Sequence, residues 1–294
     1  MKPQLVLAMR DWDYLTPLLV GDLHPPEFDL VLKRVERLPG LALPMPYDAC
    51  ELSFSQYVRA VDQGRCELVG IPNFVMRGFR HRCVVTRRDS PLQALCQLSG
   101  HRVALSGWAN SGHTWTRTAL LHHGVDLQQI EWIECGNGDS PLEVLEQEAA
   151  DAAFLPFMPP GFFSPQCSLR PVQRDCRREE RDYLAAVGYV PGIHILGIRN
   201  TLVRRHPWLP QALSDLIDAS RDMWRSKRQR YLDTTPWLNE EWQHCGGELP
   251  AGWDASGVQN NFRMINDFSA SLFRQGLASR PLHASEIFAG YSHP

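Results

Sequence analysis

Short apolar runs separated by stretches of helical periodicity are what most limits this chain. Runs suited to strands fall at 5–9, 29–35, 67–71, 82–86, 102–106, 131–134, 152–155 and 193–198, with helical patterns at 53–61, 111–122 and 141–149 among them. Strands alternating with helices predict an α/β fold. Beyond residue 200 the texture changes. Residues 207–230 and 256–276 read as long helices, the first opened by Pro207, where a missing N–H costs little, the second stopped by Gly276. Between them the Trp-, Pro- and Gly-rich stretch 234–253 reads as an irregular connection.

Two segments, 83–88 and 190–199, bracket a self-contained block of strand and helix signals. Laid side by side they would be crossings between lobes: 1–88 plus 193–294 forming lobe 1, and 89–192 an inserted lobe 2. The expectation is a two-lobed α/β fold with two crossing strands and a central cleft, which a chain of 294 residues is long enough to build. Small ligands favour such crevices and the carboxyl ends of parallel strands.

Composition removes several function classes. Thirty basic against thirty-three acidic side chains leave a net charge of −3, not the positive field of a nucleic-acid binder. No apolar run approaches the roughly 18 residues of a membrane span. The amino-terminal run is shorter than a secretory core of about 7–15 residues, so a cytoplasmic protein is expected. Eight cysteines occur without any Cys-x-x-Cys pair; they read as buried or half-buried thiols, with no structural zinc site.

Polar groups collect where strands should end. Asp13 and Tyr14 follow the first strand, Glu51 and Ser53 precede a helix, and Arg77-Gly78-Phe79-Arg80-His81-Arg82 stands at the first crossing. Arginine's planar fork suits a carboxylate, which singles out Arg80. At 105–117 a strand end, a Ser/Gly/Asn loop and a helix start offer Ser111, Gly112 and Thr114, with Arg117 one turn on, as an anion cradle. The loop lacks the Gly-Lys-Ser/Thr ending of a nucleotide loop, so a carboxylate fits better than a polyphosphate. His194 alternates with aliphatic residues on the return crossing, so each crossing carries a histidine facing the crevice.

The order of several motifs resembles the 4,5-dihydroxyphthalate decarboxylase family: Asp13-Tyr14, Pro25-Pro26-Glu27-Phe28-Asp29-Leu30, Cys50-Glu51-Leu52-Ser53-Phe54-Ser55-Gln56-Tyr57, Ile71-Pro72-Asn73-Phe74, Phe79-Arg80-His81, Gly192-Ile193-His194-Ile195, Arg205-His206-Pro207-Trp208 and Gln275-Gly276-Leu277. The similarity runs over nearly the whole chain. It implies a cytoplasmic enzyme on the type II periplasmic-binding-protein fold, removing a carboxyl group from an ortho-dicarboxylated catechol without an organic cofactor. Segments 106–117, 132–139 and 156–163, all in the inserted lobe, depart from the family pattern.

For that chemistry the expected acid/base pair is His81 and His194, with Glu51 orienting a histidine or receiving the phenolic proton. Arg80 would clamp a carboxylate, helped by Ser111, Gly112, Thr114 and Arg117, while Asp13, Tyr14 and Ser53 contact the substrate. Glu51, His81 and His194 would also make an adequate divalent-metal set. The partner is a small aromatic carboxylate. Two other readings stay open: a solute-binding protein for an aromatic acid, or another lyase on this fold, such as those resembling enzymes of the futalosine route to menaquinone. Nine tryptophans, several within 224–253, suit either a homo-oligomer interface or, as expected here, a loop-rich region packed on the core.

Overall fold

A computed structural model describes residues 2–41, 45–136 and 139–291. Asn137 and Gly138, inside one of the segments that depart from the family pattern, lie outside the described residues, as does Met1. Ten strands form two five-stranded sheets. They are β1 (Gln4–Met9), β2 (Asp29–Arg34), β3 (Ala49–Ser53), β4 (Leu68–Arg77), β5 (Val84–Arg87), β6 (Arg102–Leu105), β7 (Glu131–Glu134), β8 (Ala152–Phe154), β9 (Leu169–Pro171) and β10 (Gly192–Arg199). The helices are α1 (Thr16–Leu19), α2 (Phe54–Asp62), α3 (Ser111–His122), α4 (Pro141–Glu146), α5 (Cys176–Val187), α6 (Asn200–Arg205), α7 (Leu209–Arg230), α8 (Leu238–Glu248), α9 (Phe262–Arg274) and α10 (Ala284–Ile287).

The sheet orders are β2-β1-β3-β10-β4 and β7-β6-β8-β5-β9. In each, three parallel strands are followed by one antiparallel to its neighbours, β10 in the first and β5 in the second. The two crossings run side by side, the Gly78 N–H donating to the Pro191 carbonyl at 3.0 Å. A Cβ on Gly192 would sit 2.3 Å from the Phe74 ring, so only glycine lets the returning strand pass there.

Several expectations are corrected. The first crossing lies at 78–83, so strand 84–87, expected in lobe 1, belongs to the sheet of lobe 2. Residues 49–53, read as a polar approach to a helix, are a fully buried strand between β1 and β10. A central strand is covered on both faces and carries no alternation to betray it. Residues 238–248 are helical, and α8 has no buried residue. The short β9 and the charge-rich α5 gave no periodic signal. All eight cysteines are free thiols, but Cys96 and Cys245 are exposed. Among the described residues no helix is long and apolar enough to cross a membrane.

The first sheet is covered on one face by α2, α9 and α10 around Phe54, Phe268 and Phe288, and on the other by α7 through Leu209, Leu213 and Ile217. Helix α3 of lobe 2 is shared. Its Trp115 is buried in the lobe 1 core, stacks near Phe268 and donates its indole N–H to the Gly192 carbonyl at 2.8 Å. Gln275 at the end of α9 donates to the Thr114 carbonyl at 3.2 Å, and Arg117 donates back to Gln275 at 2.7 Å.

Candidate functional site

Glu51 on β3 and His194 on β10 are brought together by antiparallel pairing, in which Leu196 stands opposite Glu51 and His194 opposite Ser53. Glu51 is wholly buried. Its Oε2 accepts the backbone N–H of Arg10 and the indole N–H of Trp12, both at 2.9 Å, and its Oε1 meets His194 Nδ1 at 2.6 Å. A carboxylate buried this deeply is tolerable because its oxygens are met by donors. An ionised carboxylate only accepts, so His194 Nδ1 carries the hydrogen and Nε2 is the nitrogen that can exchange a proton with a ligand.

Beside this pair the two lobes touch through hydroxyls. Ser53 Oγ lies 2.7 Å from Ser111 Oγ, which also accepts the Ser55 N–H at 2.8 Å. Ser111 is the first residue of α3, and Ser53 stands just ahead of α2. Two helix amino termini, each with free N–H groups and the positive end of the peptide dipoles, therefore converge on one place.

Arg80 completes that place. It is 4% exposed, yet its Nε and Nη2 have no hydrogen-bond partner among the described residues. Burial pushes its pKa down. Nη2 lies 3.0 Å from where a Cβ on Gly112 would stand, so a larger residue at the second position of α3 would crowd the guanidinium. A buried guanidinium with unmatched N–H groups is costly, and a carboxylate oxygen is the group that satisfies it best.

His81 is elsewhere. It is 1% exposed, neither ring nitrogen has a partner among the described residues, and its ring sits 5.3 Å from His123 and 5.4 Å from Tyr183. These neighbours belong to the far end of α3 and to α5, opposite from Ser111. Burial, with His123, His122 and Arg82 nearby, pushes His81 down to about 3. The reason for the divergence is local. Residues 81–83 form a 3-10 turn, in which successive side chains point about 120° apart, so Arg80 and His81 face different regions. The expected pairing of His81 with His194 is not formed. Nor do Glu51, His81 and His194 assemble a metal set; among the described residues no three His, Cys, Asp or Glu groups do.

The other expected residues divide similarly. Tyr14 is buried and donates its hydroxyl to the Val75 carbonyl at 2.7 Å, its ring stacked on Trp12. Asp13 is exposed at the start of a 3-10 turn. Thr114 is buried and bonds back to the Asn110 carbonyl at 3.1 Å. Arg117 is drawn away from the cradle: it donates to Gln275 and to the Trp108 carbonyl at 2.6 Å and lies 3.8 Å over the Trp108 ring. It serves the α3–α9 seam. Residues missed by sequence are Arg10, Trp12 and Phe157. Arg10, at the carboxyl end of β1, reaches across the cleft to within 5.2 Å of the Phe157 ring just beyond β8, and its Nε has no partner among the described residues. The signal available was position after a strand, the argument that singled out Asp13 and Tyr14.

Comparison with known proteins bears on the fold and on what the chain is similar to. A family model described as "ABC transporter, phosphonate, periplasmic substrate-binding protein" matches residues 47–158. A protein of Comamonas testosteroni named 4,5-dihydroxyphthalate decarboxylase is 25% identical, over 98% of this chain and 96% of its own length. One of the same name from Pseudomonas putida is 30% identical, over 46% of this chain and 54% of its own. Among solved structures, the periplasmic aliphatic sulphonate binding protein SsuA of Escherichia coli aligns with a TM-score of 0.61 at 14% identity, covering 98% of this chain and 100% of that one. The desulfurization enzyme DSZB aligns with a TM-score of 0.58 at 14% identity, covering 98% and 96%. The chain has the two-lobed periplasmic-binding-protein fold and is similar, over nearly its whole length, to a 4,5-dihydroxyphthalate decarboxylase.

Proposed function

We propose that the protein is a carboxy-lyase acting on a hydroxylated aromatic dicarboxylate of the 4,5-dihydroxyphthalate kind, as a cytoplasmic enzyme of aromatic degradation. The observation that carries this reading is the juxtaposition of the buried Glu51–His194 pair with Arg80 at two converging helix starts. Arg80 and the helix N–H groups hold one ring carboxylate, and Arg10 offers a second cation to its ortho neighbour. Ser53 and Ser111, already hydrogen-bonded to each other, border the ring. The phenol para to the departing group supplies electrons to the ring, so the scheme uses no organic cofactor. His194 Nε2 delivers a proton to the carbon that bears the carboxylate. The C–C bond then breaks, its electron pair returns to the ring, and carbon dioxide leaves. Glu51 steadies the imidazolium before the transfer, and solvent restores the proton afterwards. Proton transfer by a positioned imidazole is worth about 10²–10⁴-fold.

A solute-binding role is the second reading, supported by the binding-protein fold of the structural neighbours. Yet holding an anion calls for donors alone, and a buried carboxylate beside the cradle would repel it unless a proton is to be moved. The test is carbon dioxide release from 4,5-dihydroxyphthalate by the wild type and by His194→Gln and Glu51→Gln. A loss of kcat of about 10²–10⁴ in His194→Gln is expected; tight binding with no release by the wild type would establish the second reading instead.

A further inference from the structure

Against the Glu51 side of the first sheet lies a cavity of about 750 Å³, roofed by α8 and the loop after it. Its walls include Trp12, Tyr14, Trp224, Trp242, Leu249 and Trp253. Trp12 belongs to both places: its ring lines the cavity while its indole N–H is bonded to Glu51. Trp12 and Trp224 pack against the core of the first sheet, whereas Trp242 on α8, a helix with no buried residue, faces them across the space.

Two of the three arginines around the cavity are paired with carboxylates, and the third is held by neutral acceptors. Arg77 donates to Asn261 at 2.6 Å and to the Val190 and Ala255 carbonyls, Arg221 to Asp218 and Asn73, and Arg225 to Asp254. A cavity walled by indoles, with two of its three cations paired to carboxylates, favours flat aromatic surface. The volume lies within the usual range for a site holding a drug-sized molecule and far exceeds the need of a single ring.

We propose that this cavity is a subsite for a neutral aryl extension, so that the preferred substrate is an aromatic dicarboxylate carrying a second ring. The inference rests on the decarboxylase reading for the acidic ring, but the cavity can be probed without turnover. Calorimetric titration with phthalate, 4-phenylphthalate and neutral 4-phenylphenol separates the parts. The wild type should bind 4-phenylphthalate at least tenfold more tightly than phthalate, in keeping with the apolar area of one ring. Gly246 lines the cavity, and a Cβ there would meet nothing within 4 Å. Gly246→Phe therefore fills the space, and phenylalanine suits a helix better than glycine. It should abolish the tenfold preference and weaken 4-phenylphenol at least tenfold while leaving phthalate unchanged; Trp224→Ala should weaken 4-phenylphenol likewise. Equal affinity for the two dicarboxylates in the wild type, or a preference that survives Gly246→Phe, overturns the subsite. If phthalate fails to bind while 4-phenylphenol binds in a Gly246-dependent way, the carboxylate cradle fails and the aromatic cavity stands.

Discussion

The two crossings each carry a histidine, and their surroundings could hardly differ more. His194 is partly open, and its Nδ1 is held by the carboxylate of a neighbouring strand at 2.6 Å. His81 is sealed among His123, Tyr183 and the body of lobe 2, with neither nitrogen bonded. Position on a crossing is therefore not what makes an imidazole useful. The partner across the sheet decides it. One histidine is oriented by a carboxylate, as the proposed proton transfer requires, and the other is kept neutral by burial.

The largest effect that can break this contrast is on turnover. His194→Gln should lower kcat by about 10²–10⁴-fold, the usual worth of a positioned acid/base group. His81→Phe, which keeps a flat ring in the same apolar slot, should leave kcat within about threefold. Carbon dioxide release measured on both variants in parallel checks the pair. Equal losses would erase the distinction drawn here.

Next in size is the response to acid. His81 is depressed in the folded state to about 3, whereas the unfolded chain binds a proton near the ordinary value of 6.5. Above that pH both states are neutral and the histidine contributes no slope. As pH falls from 6.5 toward 3, only the unfolded state gains the proton, and stability declines. Between pH 6.5 and 4 the loss is on the order of 3 kcal/mol. Denaturant unfolding across this window should show the decline, and His81→Phe should flatten it. A residual slope is expected from His113, which burial pushes down to about 4.

A smaller effect sharpens the other side of the crossing. Gly112→Ala places a methyl 3.0 Å from Arg80 Nη2 and 3.3 Å from Cζ, so the guanidinium must shift by a few tenths of an ångström. Because the role proposed for Arg80 is to hold a carboxylate in both ground and transition states, the expected result is a rise in KM of about tenfold, equivalent to ~1.4 kcal/mol, with kcat little changed. Steady-state kinetics on the dihydroxyphthalate would show an unchanged KM if Arg80 faced elsewhere.

What was legible in the sequence follows the same physical division. The alternation of strands and helices, the side-by-side crossings, and the placing of Arg80 at a crossing and Ser111 at a helix start could be read because periodicity and turn residues are local signals. The partnership of Glu51 with His194 spans 143 positions and depends on β3 lying between β1 and β10. Strand order is set by tertiary packing and leaves no local mark. His81 was misread because a sequence shows that a histidine follows an arginine but not that a 3-10 turn sends the two side chains apart. Arg10 was missed because its value lies in facing Phe157 of the other lobe. Helix α8 was missed because Gly246 and Gly247 sit within it and none of its residues is buried.

The finest test asks which part of Tyr183 keeps His81 neutral. Its ring packs edge-on against the imidazole at 5.4 Å, while its hydroxyl is engaged with Tyr189. If exclusion of water by the ring is what matters, Tyr183→Phe retains it and removes only the hydroxyl's interaction. Stability should then fall by about 0.5–1.5 kcal/mol, the net worth of one hydrogen bond, and by the same amount at every pH. Parallel stability curves for the variant and the wild type between pH 7 and 4 are the expected result. A shallower acid slope in the variant would mean that the hydroxyl helps to hold off the proton, and that the first crossing has a polar device of its own.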